Sequence, residues 1–267
     1  MASFNIYKIY PIVINIVLCC FYSGAEGGRI KRLVGGEDTN LQETYYQASL
    51  QFNGMHICGG TIITSKHILT AAHCVAELFE PPFDELEVAI GTLSLKKGDR
   101  YGVFNISWHP DFESGEHEVY NDVAVLTLKN EINVTSEQKP VRLPNFPAPD
   151  NAVAVISGWG WTSSNNPYSA PVLKKATVIT MNNKECQQFY KVKIENSQIC
   201  ARAESNDVGI CKGDSGGPLV VEDTIIGISS WTLSIPSSNI FCNTGAPDVY
   251  TDVYYFMKFI KSIIHGH

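Results

Sequence analysis

After Ala25 every apolar run in this chain is short, and that alone removes most architectures. A membrane span needs about eighteen consecutive apolar residues and a buried helix a sustained 3.6-residue period. Here Ala48, Leu50 and Phe52 alternate with Gln47, Ser49 and Gln51, the period-2 pattern of a strand with one face buried. Further short runs are Thr61-Ile62-Ile63, Leu86 to Ile90, Val123 to Leu128, Val153 to Ile156, Thr177 to Thr180, Leu219 to Val221 and Ile225 to Ile228. Clusters of Gly, Pro and Asn separate them, which predicts a barrel or a sandwich. Pro140, Pro144, Pro147 and Pro149 mark a link between two halves. Only the end changes period: Val253, Phe256, Ile260, Ile263 and Ile264 recur at helical spacing, predicting an amphipathic helix docked on the second half.

The 267 residues suit one to two domains. A weakly basic stretch, Met1 to Lys8, precedes an apolar run from Ile9 to Phe21 that Pro11 and Asn15 interrupt. Ser23 and Ala25 give a small-x-small cleavage pattern. The run is too short and its exit too polar for an anchor, so residues 1–25 read as a secretory signal peptide. The mature protein is therefore expected to be soluble, secreted and extracellular. Cys19 and Cys20 leave with the signal. Cys58, Cys74, Cys186, Cys200, Cys211 and Cys242 remain, an even count that in an exported chain reads as disulfides. Six cysteines allow fifteen pairings, and the residues alone do not choose among them. Zinc is the competing use, without a Cys-x-x-Cys pair to support it. Neither a metal nor a cofactor is expected.

The chemistry concentrates in Gly213-Asp214-Ser215-Gly216-Gly217-Pro218. Glycines let the backbone take turns that a Cβ resists, so this loop can present one hydroxyl and aim N–H groups at one point. A serine is a poor nucleophile until a base takes its proton. Thr70-Ala71-Ala72-His73-Cys74 supplies a histidine, and Asn121-Asp122-Val123-Ala124-Val125-Leu126 a carboxylate to orient it. With Leu33-Val34-Gly35-Gly36, and in the chain order His, Asp, Ser, these motifs resemble the chymotrypsin/trypsin family of secreted serine endopeptidases, insect chymotrypsin-like proteases among them. The resemblance runs from Leu33 to the terminal helix. His56, His67, His109, His117, His265 and His267 fall outside it and read as structural.

The resemblance implies an all-β fold, two six-stranded antiparallel Greek-key barrels with a C-terminal helix and an active site in their cleft. The protease domain would cover 33–267, the first barrel about 33–143 and the second barrel with the helix about 144–267. The implied disulfides are Cys58–Cys74, bracing the histidine loop, Cys186–Cys200, and Cys211–Cys242, bracing the specificity pocket. His73 would be the base, Asp122 its orienting carboxylate and Ser215 the nucleophile, with an oxyanion hole from the N–H groups of Gly213 and Ser215. The family is made as a zymogen. Residues 26–32 would be the activation propeptide, Arg32 the site for an activating trypsin-like protease, and Asp214 the partner of the new Leu33 α-amino group. Leu33 departs from the usual Ile or Val, a change expected to weaken its packing.

The whole chain carries a net charge of −7, and losing Lys8, Arg29, Lys31 and Arg32 against Glu26 takes the mature chain to −10. Such a chain, lacking a basic cluster, excludes nucleic acid as a partner. Lys258 and Lys261 alone do not make the last helix a membrane binder. The expected partners are protein or peptide substrates, the activating protease and protein inhibitors, and the expected state is a monomer.

Trypsins of the family carry an aspartate six residues before the serine; here that position is Gly209. Ser230, Trp231 and Thr232 would form one pocket wall, with Thr232 narrowing an entrance where large-pocket relatives have glycine. Ile210 adds apolar surface at the base, and Asp248 falls at a pocket-lining position. If Asp248 points to solvent or is bonded to backbone, the pocket is apolar and shortened; if it points into the pocket, a basic side chain has a partner. The expectation is a chymotrypsin-like hydrolase with apolar or mixed P1 preference, basic P1 preference through Asp248 being the alternative. A secreted non-catalytic homologue acting by binding is the other class of function, and the intact triad argues against it. Asn105-Ile106-Ser107 and Asn133-Val134-Thr135 are candidate glycosylation sites. Thr92 to Lys97, where some relatives bind calcium, lacks carboxylates, so no site is expected there.

Overall fold

The alternating runs become strands in two closed rings of six. The computed structural model describes residues 36–76, 80–115, 118–163, 166–205, 208–235, 242 and 244–266, all within one compact unit, Lys31–His267. The signal peptide, the propeptide with Arg32, and Leu33 lie outside the described residues.

The first ring comprises β1 (Gln47–Phe52), β2 (Met55–Ile62), β3 (His67–Thr70), β4 (Leu86–Ile90), β5 (Asp99–Trp108) and β6 (Ala124–Leu128). Its spatial order is β1-β2-β3-β6-β5-β4, with β4 returning to pair with β1. The second comprises β7 (Val153–Gly158), β8 (Lys174–Met181), β9 (Gln198–Arg202), β10 (Pro218–Val221), β11 (Thr224–Trp231) and β12 (Asp248–Asp252). Its order, β7-β8-β9-β12-β11-β10 with β10 back on β7, repeats the first. Every ladder in both is antiparallel, and the fourth strand beside the first makes each a Greek key. The β1–β2 turn is Asn53-Gly54, both at positive φ (49° and 77°), the pairing a tight hairpin demands.

One sequence expectation changes here. The polar residues of β1 do not face water: Gln47, Ser49 and Gln51 are 3%, 0% and 0% exposed. Gln47 Oε1 accepts a 2.6 Å hydrogen bond from Ser157 Oγ of β7. The second barrel meets this face at Gln47, while Leu95 and Arg100 of the first half meet Gln51, and hydrogen bonds replace the lost hydration.

The short helix α1 (Asn183–Cys186) is capped by Asn182, whose side chain accepts from Glu185 N at 2.9 Å. The terminal helix α2 (Met257–His265) ends at Gly266. Its apolar face reaches the first barrel and not only the second. The rings of Phe256 and Phe259 meet His109, just beyond β5, at 5.1 and 5.3 Å. Burying an apolar side chain such as Phe256 or Ile260 contributes about 1.5–3 kcal/mol. Among the described residues no helix is long and apolar enough to cross a membrane.

Candidate active site

His73 sits in a 3-10 turn, Ala72–Cys74, directly after β3. Asp122, 1% exposed, lies just before β6, the strand beside β3. Asp122 Oδ2 is 2.8 Å from His73 Nδ1, and Oδ1 accepts the His73 backbone N–H at 2.9 Å. Two hydroxyls from the second barrel hold the aspartate in place. Ser230 Oγ donates to Oδ2, and Thr251 Oγ1 donates to the Asp122 carbonyl at 2.8 Å. Burial opposes both charges, yet mutual attraction and the hydrogen bonds prevail. His73 is held above its ordinary pKa and Asp122 below its own.

The loop carrying Ser215 is tied to this pair by two links. Gly59 N donates to Ser215 O at 2.8 Å, and the neighbouring Cys58 is bonded to Cys74, beside His73. Gly216 also lies against the histidine loop. A Cβ there would come within 2.2 Å of Thr70 Oγ1, and its φ of +76° suits glycine alone. Among the described residues Ser215 Oγ has no hydrogen-bond partner, an open geometry common in ligand-free sites of this kind. The amides of the loop divide into two sets. Those of Asp214, Gly216 and Gly217 donate to the carbonyls of Cys211, Ser229 and Asp214. Those of Gly213 and Ser215 donate to no acceptor among the described residues, so two N–H groups flank the serine unused.

Asp214, 2% exposed, points away from Ser215. It accepts from Gly160 N at 2.8 Å and Cys211 N at 3.0 Å, and burial still pushes its pKa up to about 7. A Cβ on Gly160 would lie 2.2 Å from Asp214 Oδ2, so the carboxylate fills the room a side chain would take.

All three disulfides implied by the resemblance form: Cys58–Cys74, Cys186–Cys200 and Cys211–Cys242. Cys58, His73 and Cys74 cluster within 4.8 Å, but the two sulfurs are already bonded to each other and carry no thiolate for a metal.

Asp248 opens β12 and does not face solvent; it makes the backbone bond that was the other expectation for it. The side chain is 4% exposed, with Oδ2 accepting from Ile210 N at 2.8 Å and the Thr232 hydroxyl bonded to the carboxylate. A Cβ on Gly209 would meet Asp248 Oδ2 at 2.8 Å. The carboxylate therefore occupies the space that glycine leaves at 209, and Gly209, Ile210, Thr232 and Asp248 share one locality. Burial raises Asp248 to about 7 against those hydrogen bonds, with Asp214 adding to the rise. Ser230 and Trp231 continue this wall along β11, where Trp231 meets the Tyr190 ring edge-on at 5.0 Å. Asn105 and Asn133 are exposed on the first-barrel side, apart from these groups.

His56 is the residue that motif reading passed over. It lies on β2, and its Nε2 is 2.8 Å from Gly213 O while Nδ1 is 2.9 Å from Ser49 Oγ. Burial pulls its pKa down to about 4, against the bond to Gly213, so the ring is neutral at physiological pH. The one signal for it in sequence is its place two residues before Cys58, the half-cystine joined to the neighbour of His73.

A family model described as Trypsin matches residues 33–260. Hypodermin-B of Hypoderma lineatum is 32% identical over 252 residues, covering 91% of this chain and 93% of that protein. Vitellin-degrading protease of Bombyx mori is 33% identical over 227 residues, covering 83% and 81%. Among solved structures, neuropsin, a serine protease expressed in the limbic system of mouse brain, matches with a TM-score of 0.76 at 29% identity. That match covers 86% of this chain and 98% of neuropsin.

Proposed function

Because this chain belongs to the trypsin family of serine proteases, we propose that it is a secreted endopeptidase using Ser215, His73 and Asp122 as its triad. The observation that carries this is the buried Asp122 fixing His73 at Nδ1 beside a loop with two unused amides. With Nδ1–H committed to Asp122, Nε2 is the nitrogen left to take a proton.

The Ser215 Oγ–H proton passes to His73 Nε2 as Oγ bonds to the scissile carbonyl carbon. The carbonyl oxygen becomes an oxyanion and is met by the N–H groups of Gly213 and Ser215. One such donor contributes roughly 3–4 kcal/mol to the transition state. The imidazolium, stabilised by ionised Asp122, then gives its proton to the departing amine, leaving an acyl-Ser215 ester. A water enters, His73 takes its proton, and the same sequence releases the acid.

Cleavage after Arg32 would free the Leu33 amine to pair with Asp214. A buried carboxylate with amide donors and no cation among its described partners supports that activation step. For the pocket, the burial of Asp248 beside Gly209 supports acceptance of Lys and Arg at P1, with Ile210 and Thr232 restricting depth. This basic reading takes precedence over the apolar one because the carboxylate is buried beside Gly209; the apolar one stands as the second reading, supported by the bond that ties Asp248 to the Ile210 backbone. The test of the catalytic assignment is labelling by a sulfonyl fluoride or organophosphonate, before and after Ser215→Ala. The cleaved wild type should react and hydrolyse casein, and the variant should do neither beyond a small residue from binding and the oxyanion hole. A cleaved wild type that neither reacts nor hydrolyses is a binding homologue.

A further inference from the structure

The strand Glu37–Asp38 precedes β1 in sequence, yet it belongs to the second barrel's sheet. It pairs antiparallel with β8, Glu37 opposite Lys175 and Asp38 opposite Lys174. Two residues make a short ladder, and charge reinforces it. Lys174 Nζ donates to Asp38 Oδ1. Lys175 Nζ lies 3.5 Å from Glu37 Oε1 and 2.9 Å from Glu43 Oε2. The Lys174 side chain is 8% exposed, so little water is at hand to replace Asp38. The bond between Lys175 and Glu43 holds the carboxyl below its ordinary pKa and the ammonium above its own. Glu43 sits in the turn that follows the strand. Its N–H donates to Asn40 Oδ1 at 3.1 Å, and its carboxylate accepts from Thr39 Oγ1 at 3.2 Å. Lys175 therefore grips both ends of the segment 37–43.

The sheet register places this clasp beside Asp214. In β7, Gly158 is the partner of Lys174, and Ser157 that of Lys175. Residues opposed across antiparallel strands project on one face, and neighbours along a strand on opposite faces. Asp38, Lys174 and the Cβ position of Gly158 thus share a face. Asp214 fills that position: a Cβ on Gly158 would lie 2.0 Å from its Oδ1. Two strand spacings, about 10 Å, separate Asp38 from Gly158. Leu33 stands five residues before Asp38, and five residues extend to about 17 Å at most. An amine on a tail of that length, anchored at Asp38, reaches Asp214. Anchored only from Gln47, where β1 begins, the tail would be fourteen residues long and range over about 46 Å. A shorter tether raises the local concentration of the amine at its partner.

We propose that Lys174 and Lys175 are positioning residues for activation: they pin Glu37-Asp38 to the second barrel and so hold the amine freed at Leu33 within reach of Asp214. This rests on the activation step read above.

The test uses the full chain cleaved after Arg32, as wild type, Lys175→Met, Lys175→Arg and Glu43→Gln. Lys175 projects on the face away from Asp214, so its loss reaches that carboxylate only through the segment. Cyanate at about pH 7 carbamylates unprotonated amines, and an α-amine of pKa about 7.7–8.0 reacts well ahead of lysine. Pairing with Asp214 shields the amine. The rate of Leu33 carbamylation, read by mass spectrometry of the N-terminal peptide, therefore measures the unpaired fraction. An exposed ion pair shifts an equilibrium by up to about fivefold, and Lys175 makes two, so Lys175→Met should speed the reaction about 5- to 20-fold. Glu43→Gln should speed it about two- to fivefold, and Lys175→Arg, which keeps the charge, should match the wild type. Raising salt from about 0.05 M to about 1 M should speed the wild-type reaction severalfold and the Lys175→Met reaction by less, because screening removes the same pairs. Labelling of Ser215 by a sulfonyl fluoride is followed in parallel. Equal rates in wild type and Lys175→Met, with labelling lost in step with Leu33 modification, overturn the clasp and leave the activation step standing. Labelling that survives complete carbamylation of Leu33 refutes the activation step, and the role of the clasp falls with it. A faster reaction in Lys175→Met that Lys175→Arg shares reports lost packing and not lost charge, which also overturns the proposal.

Discussion

Replacing Asp248 with asparagine isolates the charge at the pocket floor. The side chain is isosteric, and the Ile210 N–H and Thr232 hydroxyl keep an oxygen to meet. In the free chain burial lifts the carboxyl from 3.8 to about 7, a penalty on ionisation of about 4 kcal/mol. A lysine or arginine entering the pocket would favour the ionised form, and the asparagine could not answer that cation. Leaving one member of a buried pair alone costs about 3–5 kcal/mol, or about two to four orders of magnitude in kcat/KM. The assay is kcat/KM for matched peptides ending in Arg, Lys, Leu and Phe. Arg and Lys should lead in wild type and fall by that factor in Asp248→Asn, whereas Leu and Phe should change by less than about tenfold, the scale of a hydrophobic pocket contact. Stability gives an independent reading. The folded pKa lies above the unfolded one, so the stability this group contributes is whole below about pH 4 and is lost as pH rises through about 7. The variant escapes that loss and should gain up to about 4 kcal/mol over wild type at pH 8, with little difference at pH 4. Equal Arg and Leu rates in wild type, or an Arg preference that survives the substitution, would refute the reasoning.

Four further outcomes are expected. Gly160→Ala puts a Cβ 2.2 Å from Asp214 Oδ2, so the carboxylate must leave its place; circular dichroism should show retained strands while labelling of Ser215 falls at least about tenfold, overpacking of this kind costing about 1–3 kcal/mol. The acid limb of kcat/KM should report His73, whose pKa Asp122 raises, so activity is lost as pH falls through a value above the ordinary one. Asp122→Asn should shift that limb to lower pH and cut kcat by about 10⁴, as measured by stopped-flow with a chromogenic peptide. The alkaline limb should report the Leu33 amine, a free α-amine having a pKa of about 7.7–8.0 that pairing raises, and a form whose Leu33 amine is blocked should be inactive across the whole pH range.

Much of the site was legible in sequence because its motifs are local. The glycines around Ser215, the Ala-Ala-His-Cys stretch and the six cysteines each fit one another and one fold. What escaped were properties set by contacts over a hundred residues away. Gln47, Ser49 and Gln51 carry the alternation of a half-buried strand, yet Ser157, 110 positions on, bonds Gln47, and Arg100, 49 positions on, bonds Gln51. His56 looks like any strand histidine until Gly213, 157 positions later, accepts from it. The period of α2 identifies an apolar face but not which barrel receives it; His109 decides that. Asp248 is one carboxylate in a loop-to-strand junction, and only the empty Cβ position at Gly209 directs it inward.

The two hydroxyls that steady Asp122 belong to Ser230 and Thr251, 108 and 129 positions further along. A ribosome therefore delivers the histidine and aspartate well before the groups that lock them. The first barrel can close on its own local ladders while the nucleophile loop is still inside the exit tunnel, since chains fold domain by domain from the N-terminus as they are made. The lock on Asp122 is therefore completed late, when the last strand, β12, seats beside β11 and β9. A chain cut short before β12 would thus keep the histidine and aspartate on a complete first barrel and yet lack the Thr251 hydroxyl that holds the Asp122 backbone.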